Sequence, residues 1–473
     1  MSGFKFNIVP KSVPQVHTQY RRILTKIPAP ESIRILNDLD LYESVSMHGQ
    51  LPVVWDKAED FLVFDAWGNQ WIDFTSTIFV ANAGHGNPRI IQSLRNLLDK
   101  PLLHTYTYAS KERAEYLKYL ISNTPAQFEK AFLVSAGTEA TEAALKLMRL
   151  HGVKRGKKRP GIICFEGNWH GRTMGAQLMG GNDSQKEWIG YRDPNIYHLP
   201  FPYPWRKEAM DNPEEYFQRS VKELISAHGL DPDLDLCGFM IESYQGWGAI
   251  FYPPEYIQKI AEFARHHGML ITFDEMQSGF GRTGKLFGYM HYGVEPDLLC
   301  CGKGAGSSLP LSLVLGGAEI MDLPEIGSMS STHSANPMAC AAGKANLQAL
   351  LEDEIIVKSL PLAELFHNRL HELKSKYPDH LRYVLGKGMV AALLFYDRDQ
   401  KPLSGLCTAI SQIAMEKGLL VVHTGRESIK LAPSLTISKE ALLEGIQTLD
   451  EAIGQAIGDA IGGAIGKAIT ERP

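Results

Sequence analysis

The stretch MLITFDEMQSGFGRTGKLFGYMHYGVEPDLLCCGKGAG, residues 269–306, decides how the rest of the chain is read. It holds two short apolar runs, Met269 to Phe273 and Leu298 to Cys301. Asp274 closes the first, and Lys303 follows the second after one glycine. Continuous apolar runs of this length predict strands of a parallel sheet buried on both faces. If the two are neighbours, acid and amine emerge together at the sheet's carboxyl edge, where open α/β sheets bind ligands. A lysine and a buried anion facing one crevice predict a cofactor held covalently by the amine.

Strand–helix alternation surrounds that stretch. KAFLVSA, GIICF, IYHLP and CGFMIES precede it as strand candidates, and LSLVLGG follows. Helical periodicity fills the gaps: Glu139–Leu150 sets Ala140, Ala143, Ala144 and Leu147 on one face, and Glu214–His228 and Pro254–His267 follow suit. Seven strand-like runs predict an α/β fold with a mainly parallel, doubly covered sheet in a large domain, residues 86–335. Residues 336–453 read as a smaller α+β domain, with a long helix, a break, a second helix, and the strands MVAALLFY and GLLVVHTG.

Residues 1–85 join that smaller domain. They combine a proline-punctuated arm, with a short helix expected near Val16–Leu24, and a hairpin of FLVFD and QWIDF around Trp67-Gly68-Asn69. Residues 454–473 form a low-complexity tail in which Ala-Ile-Gly recurs every four residues. Gly454, Gly458, Gly462 and Gly466 make a small-residue row there. Each glycine costs roughly 1 kcal/mol of helix propensity, so a frayed or partner-stabilised terminal helix is expected.

Composition narrows the function classes. The 473 residues are 44% hydrophobic and 21% charged, with a net charge of −5. That balance suits a soluble protein and provides no field for nucleic acid or acidic membranes. The six cysteines show no Cys-x-x-Cys pair, His85 and the other histidines lack metal-ligand spacing, and no uncharged apolar run approaches membrane-spanning length. Reduced buried thiols, no metal and a cytoplasmic setting are expected.

The residues that carry chemistry cluster at strand ends. Lys303 sits in Cys-Gly-Lys-Gly-Ala-Gly, where flanking glycines leave room for a flat ligand. A desolvated lysine there is a good amine for a Schiff base, whereas an isolated lysine is ordinarily a solvated surface charge. Asp274 suits the pyridine nitrogen of pyridoxal 5'-phosphate (PLP), and would otherwise cap a helix. Ser135-Ala-Gly137-Thr138, at a strand-to-helix junction, offers free N–H groups and hydroxyls to an anion, or is a plain cap. Trp169 can stack on a ring, and Arg172 can hold a carboxylate as a fork. Otherwise they are a core tryptophan and a surface arginine.

Together these segments resemble the class III (ω-amino acid) aminotransferases, fold-type I PLP enzymes, from about Gly49 to Ile453. The most specific match is ITFDEMQSGFGRTGKLFGYMHYGVEPDLLCCGKG. The resemblance implies that Lys303 forms the Schiff base and shuttles the proton, and that Asp274 holds the pyridine N–H. It places Gln277 by the ring hydroxyl, Gly137 and Thr138 at the phosphate, and Trp169 in the stacking position. Thr332, in SSTHSANPMACAA, would reach the phosphate of a neighbouring subunit, which implies a homodimer with shared active sites.

For the substrate, Arg172 fits the place of a distal-carboxylate arginine, and Glu242 fits a glutamate that pairs with a second arginine. Lys430, in IKLAPSLTIS, stands where that second arginine is found. A lysine keeps the charge but loses the bidentate fork. Ile78 makes the opposite wall apolar. The implied function is amino-group transfer from a donor to an oxo acceptor, with ping-pong kinetics through pyridoxamine phosphate. The alternative is a PLP-dependent racemase, epimerase or aminomutase of the same family, which needs the same lysine and aspartate. A non-catalytic binding protein is hard to reconcile with the presence of both.

Overall fold

The computed structural model describes residues 4–100 and 102–470, except for the side chains of residues 461–470. The chain divides into two compact units. The larger comprises residues 88–246 and 250–354, and the smaller comprises residues up to 87, 247–249 and those from 355 onward.

The larger unit is built on one sheet of seven strands: β1 (Lys130–Val134), β2 (Gly161–Phe165), β3 (Ile196–Leu199), β4 (Leu236–Glu242), β5 (Leu270–Asp274), β6 (Leu298–Cys301) and β7 (Ser312–Gly316). Their order is β1-β7-β6-β5-β4-β2-β3. β7 runs antiparallel to both its neighbours, and the remaining pairs are parallel. All seven apolar runs are strands. Helix α1 (Gly137–Lys154) covers the sheet with Ala140, Ala144, Leu147 and Met148, which pack on Cys164, Met240, Cys300 and Val314. Small alanines let the helix approach closely, while each large side chain buried there contributes about 1.5–3 kcal/mol.

The boundary falls after Glu354 rather than near residue 335. The helix Pro337–Leu351 packs on Pro88–Leu98 and Lys111–Ser122, with Ala342 and Ala345 against Ile90. Its partly exposed positions, among them Ala341, Lys344 and Gln348, form only a narrow stripe, which does not reveal from sequence which unit it serves.

The smaller unit contains two sheets. In one, Gln70–Asp73 pairs antiparallel with Leu62–Phe64 and parallel with Leu419–Leu420. The other is antiparallel, in the order Leu381–Lys387, Val390–Phe395, Ser428–Leu431, Val422–His423. The helix expected near Val16–Leu24 is instead a hairpin, with Val16 opposite Ile23. Ile23 is fully buried in a cluster with Val63 and Trp71, and that burial outweighs local helix preference.

The Ala-Ile-Gly repeat is not a separate segment: one helix runs unbroken from Lys439 to Thr470. Ala452, Ile453 and Ala456 are buried, Gly454 backs on Tyr377, and Gly458 is exposed. Gly462 and Gly466 lie outside the described side chains. All six cysteines are free and buried. Among the described residues no helix is long and apolar enough to cross a membrane, and no His, Cys, Asp or Glu cluster is placed to hold a metal.

Candidate active site

Three strand ends of the larger unit carry its central charges. Glu242 ends β4, Asp274 ends the adjacent β5 directly opposite it, and Lys303 lies two residues beyond β6. Gly302 is demanded by packing, since a Cβ there would lie 2.6 Å from both Met276 Sδ and Ser312 Oγ. Lys303 itself has φ 43°, in the left-handed region that L-residues rarely occupy. Such strain persists only where the surroundings over-determine it. Its amine makes no hydrogen bond or ion pair among the described residues. Burial pulls the amine below the usual lysine range, while the Asp274 and Glu242 carboxylates act in the opposite sense.

Asp274 is buried and braced on both oxygens. Oδ1 accepts the Met276 N–H at 3.0 Å, and Oδ2 accepts His170 Nδ1–H at 2.9 Å. A carboxylate only accepts, so the imidazole proton sits on Nδ1. His170 Nε2 is buried without a hydrogen-bond partner among the described residues. The next residue, Glu275, is fully enclosed and accepts from Ser243 and Ser278 hydroxyls and the N–H groups of Gly288 and Tyr289. Burial raises its pKa, and those four donors oppose the rise. A satisfied acid, bonded from Ser243, Ser278 and the Gly288–Tyr289 backbone, thus stands immediately behind Asp274.

The loop after β2 carries Trp169, His170 and Arg172. Glu242 holds it in place, accepting the Trp169 N–H at 2.9 Å through Oε2 and the Gly246 N–H at 3.1 Å through Oε1. Arg172 is exposed and lies 4.6 Å from the Trp169 ring centroid. Gln277 lies beside the same segment, since a Cβ on Gly246 would come within 2.3 Å of its Nε2.

At the far side of the sheet, Gly137 and Thr138 open α1, so their N–H groups have no intrahelical acceptor. Glu139 takes the N–H groups of Ser135 and Ala136 at 2.8 and 2.9 Å, and Ser135 Oγ meets Ser334 Oγ at 2.9 Å. Thr332 is exposed, and its carbonyl accepts from His104 at 2.7 Å. PLP needs a primary amine, an anion for its pyridine N–H, and donors for its phosphate. The larger unit has each at a carboxyl strand end: an unpaired desolvated amine, a braced buried acid, and a helix start with free N–H groups. The residues fit that group.

A family model for class III aminotransferases matches residues 44–453. The chain belongs to the class III aminotransferases. A 4-aminobutyrate aminotransferase of Mycobacterium leprae is 30% identical over 449 residues, covering 92% of this chain and 98% of that protein. An alanine/serine racemase of Pyrococcus horikoshii is 28% identical over 466 residues, covering 96% and 97%. The crystal structure of an (S)-enantioselective omega-transaminase from Thermomicrobium roseum superposes with a TM-score of 0.80 at 26% identity, covering 90% of this chain and 98% of that one. Membership of this family makes the chain a PLP-dependent enzyme, and the aminotransferase reading is better supported than the racemase one.

In this class III aminotransferase, Ile78 and Lys430 belong to the smaller unit. Ser76, Thr77, Ile78 and Phe79 have φ of 45°, 50°, 61° and 70°, a left-handed turn closed by Phe79 N–H to Thr75 O and Val80 N–H to Ser76 O. Thr77 and Ile78 line a cavity of about 300 Å³ with Leu51, Val53, Trp55 and Leu420. Lys430, on the strand Ser428–Leu431, is buried, with Nζ 4.4 Å from the Phe79 ring centroid. Sequence reading missed His170, noting of the histidines only that they lack metal-ligand spacing. The usable signal was its position two residues before Arg172 in a loop that follows a buried strand.

Proposed function

We propose that this enzyme transfers an amino group from a primary-amine donor to an oxo acid, aldehyde or ketone in two half-reactions, the donor product leaving before the acceptor binds. The observation that carries this reading is Lys303, an unpaired, desolvated amine next to a braced Asp274 at adjoining strand ends. When bound, PLP supplies an electron sink for a carbanion at the substrate Cα.

The chain's own residues do the rest. Lys303 Nζ, whose pKa burial lowers, takes the donor's Cα proton and returns one to the acceptor's Cα. Asp274, oriented by His170, holds the pyridine N–H. Trp169 covers a ring face and Gln277 approaches the ring hydroxyl. Ser135 and the N–H groups of Gly137 and Thr138 take the phosphate. Exposed Thr332 completes the phosphate site of a second copy, which makes the working form a homodimer. Arg172 and Glu242 of the larger unit are substrate-binding residues, Ile78 and Lys430 of the smaller unit bear on substrate choice, and the six free cysteines suit a cytoplasmic setting.

The test is a half-reaction screen of the PLP form against amines, diamines, amino acids and amino sugars, read as loss of its visible absorbance. Conversion by at least one donor, reversed by an oxo acceptor, is expected. The racemase reading has the Pyrococcus horikoshii relative in its favour. Exchange of Cα–H with solvent and inversion of configuration, without conversion by any donor, would replace amino transfer with that reading.

A further inference from the structure

The hydroxyl of Thr138 in the phosphate loop already has a partner. Its Oγ1 lies 2.5 Å from Thr173 Oγ1. Thr173 in turn donates to Glu142 Oε1 at 2.6 Å, and the same oxygen accepts the N–H groups of Gly175 at 2.8 Å and Ala176 at 3.1 Å. A carboxylate has no proton to give, so the direction of every bond follows. The Thr173 proton points to Glu142, and the contact between the two hydroxyls must be made by the Thr138 proton. Gly171, where φ is 143°, leaves room for that hydroxyl, since a Cβ there would lie 2.4 Å from Thr138 Oγ1.

We infer that Glu142 is a positioning residue for the phosphate end of the cofactor. Through Thr173 it commits the Thr138 hydroxyl proton inward, and Thr138 meets a phosphate with its backbone N–H and not its O–H. The same relay ties the loop carrying Trp169, His170 and Arg172 to the phosphate loop, since Glu142 also caps the helix Met174–Met179. This rests on the PLP reading above and extends it to residues that do not touch the cofactor.

The experiment measures equilibrium binding of PLP and of pyridoxal, which lacks the phosphate, to the full-length apo-protein. In the unaltered chain PLP binds more tightly than pyridoxal; equal affinities would remove the cofactor reading itself and leave the relay without an object. Thr173→Val keeps the volume but removes the acceptor, freeing the Thr138 proton for a charge-assisted bond to phosphate. PLP then binds about tenfold more tightly and pyridoxal is unchanged. Thr173→Ser retains the relay and the original affinities. Glu142→Ala, which releases the Thr173 proton toward Thr138, moves PLP in the same direction as Thr173→Val and serves should that variant not fold. A folded Thr173→Val or Glu142→Ala protein that binds PLP more weakly or equally, or in which both ligands shift together, overturns the inference.

Discussion

The acids of the larger unit and the candidate residues of the smaller one are held by opposite means. In the larger unit the acids end strands of a buried parallel sheet, and each is satisfied by short bonds from its own surroundings. Asp274 has His170 and Met276, Glu242 has Trp169 and Gly246, and Glu275 has four donors. In the smaller unit Ile78 rides on four consecutive left-handed residues, and Lys430 rests on an aromatic ring of that turn. Each left-handed L-residue costs about 1–2 kcal/mol, and burial of Ser76 and Phe79 together with the Ser76 hydroxyl bond to Ala432 O offsets it. Charge placement for proton transfer demands rigid, fully bonded acids, whereas strain in a turn persists only where the packing around it over-determines it.

The largest effect that would break this comparison is expected at Lys303. Lys303→Ala lowers half-reaction turnover by about 10²- to 10⁴-fold or more and abolishes the bound cofactor's visible absorbance. Retention of both would strip the sheet edge of its chemical role.

A second effect bounds the larger unit's stability in pH. Burial pulls the His198 pKa from 6.5 down to about 4. Between those values the unfolded chain binds a proton that the folded chain refuses, so stability is lost as pH falls from 6.5 toward 4. The loss reaches about 3 kcal/mol, and urea titrations of His198→Gln should lack that part of the slope. An unchanged pH slope would mean that His198 is not protected in solution.

Next comes His170. His170→Leu leaves the buried Asp274 Oδ2 without its donor, and kcat is expected to fall about tenfold with a shift in the pH dependence of cofactor absorbance. His170→Asn, which can still donate, should recover most of it. Equal losses in the two variants would reduce His170 to packing.

The smallest effect sharpens the other side. Thr77→Gly relieves one left-handed residue and is expected to raise unfolding stability by about 1 kcal/mol, read from the urea midpoint. A loss of stability would show that the turn is not strained there.

Much of the larger unit was legible because a parallel strand covered on both faces is written as a continuous apolar run, and all seven runs became strands. The boundary near 335 was misread because the helix Pro337–Leu351 is buried on most of its circumference and polar only along the narrow stripe of Lys344 and Gln348, so nothing local states its allegiance. The hairpin at Val16–Ile23 was read as a helix because its register depends on Trp71 and Val63, about fifty residues away. The strand Leu381–Lys387 went unread, since its half-buried residues show neither a clean alternation nor a continuous apolar run.

By itself, the sequence determined the family, the cofactor and the acid and amine at the strand ends, because those depend on residue types at fixed short spacings. Only the tertiary structure decided that β7 runs antiparallel, that His170 and Asp274 meet across 104 residues, that Glu142 reaches Thr138 through Thr173, and that Ile78 sits in a left-handed turn. Each of those is a contact or strain supplied by distant chain, and local spacing carries no record of it.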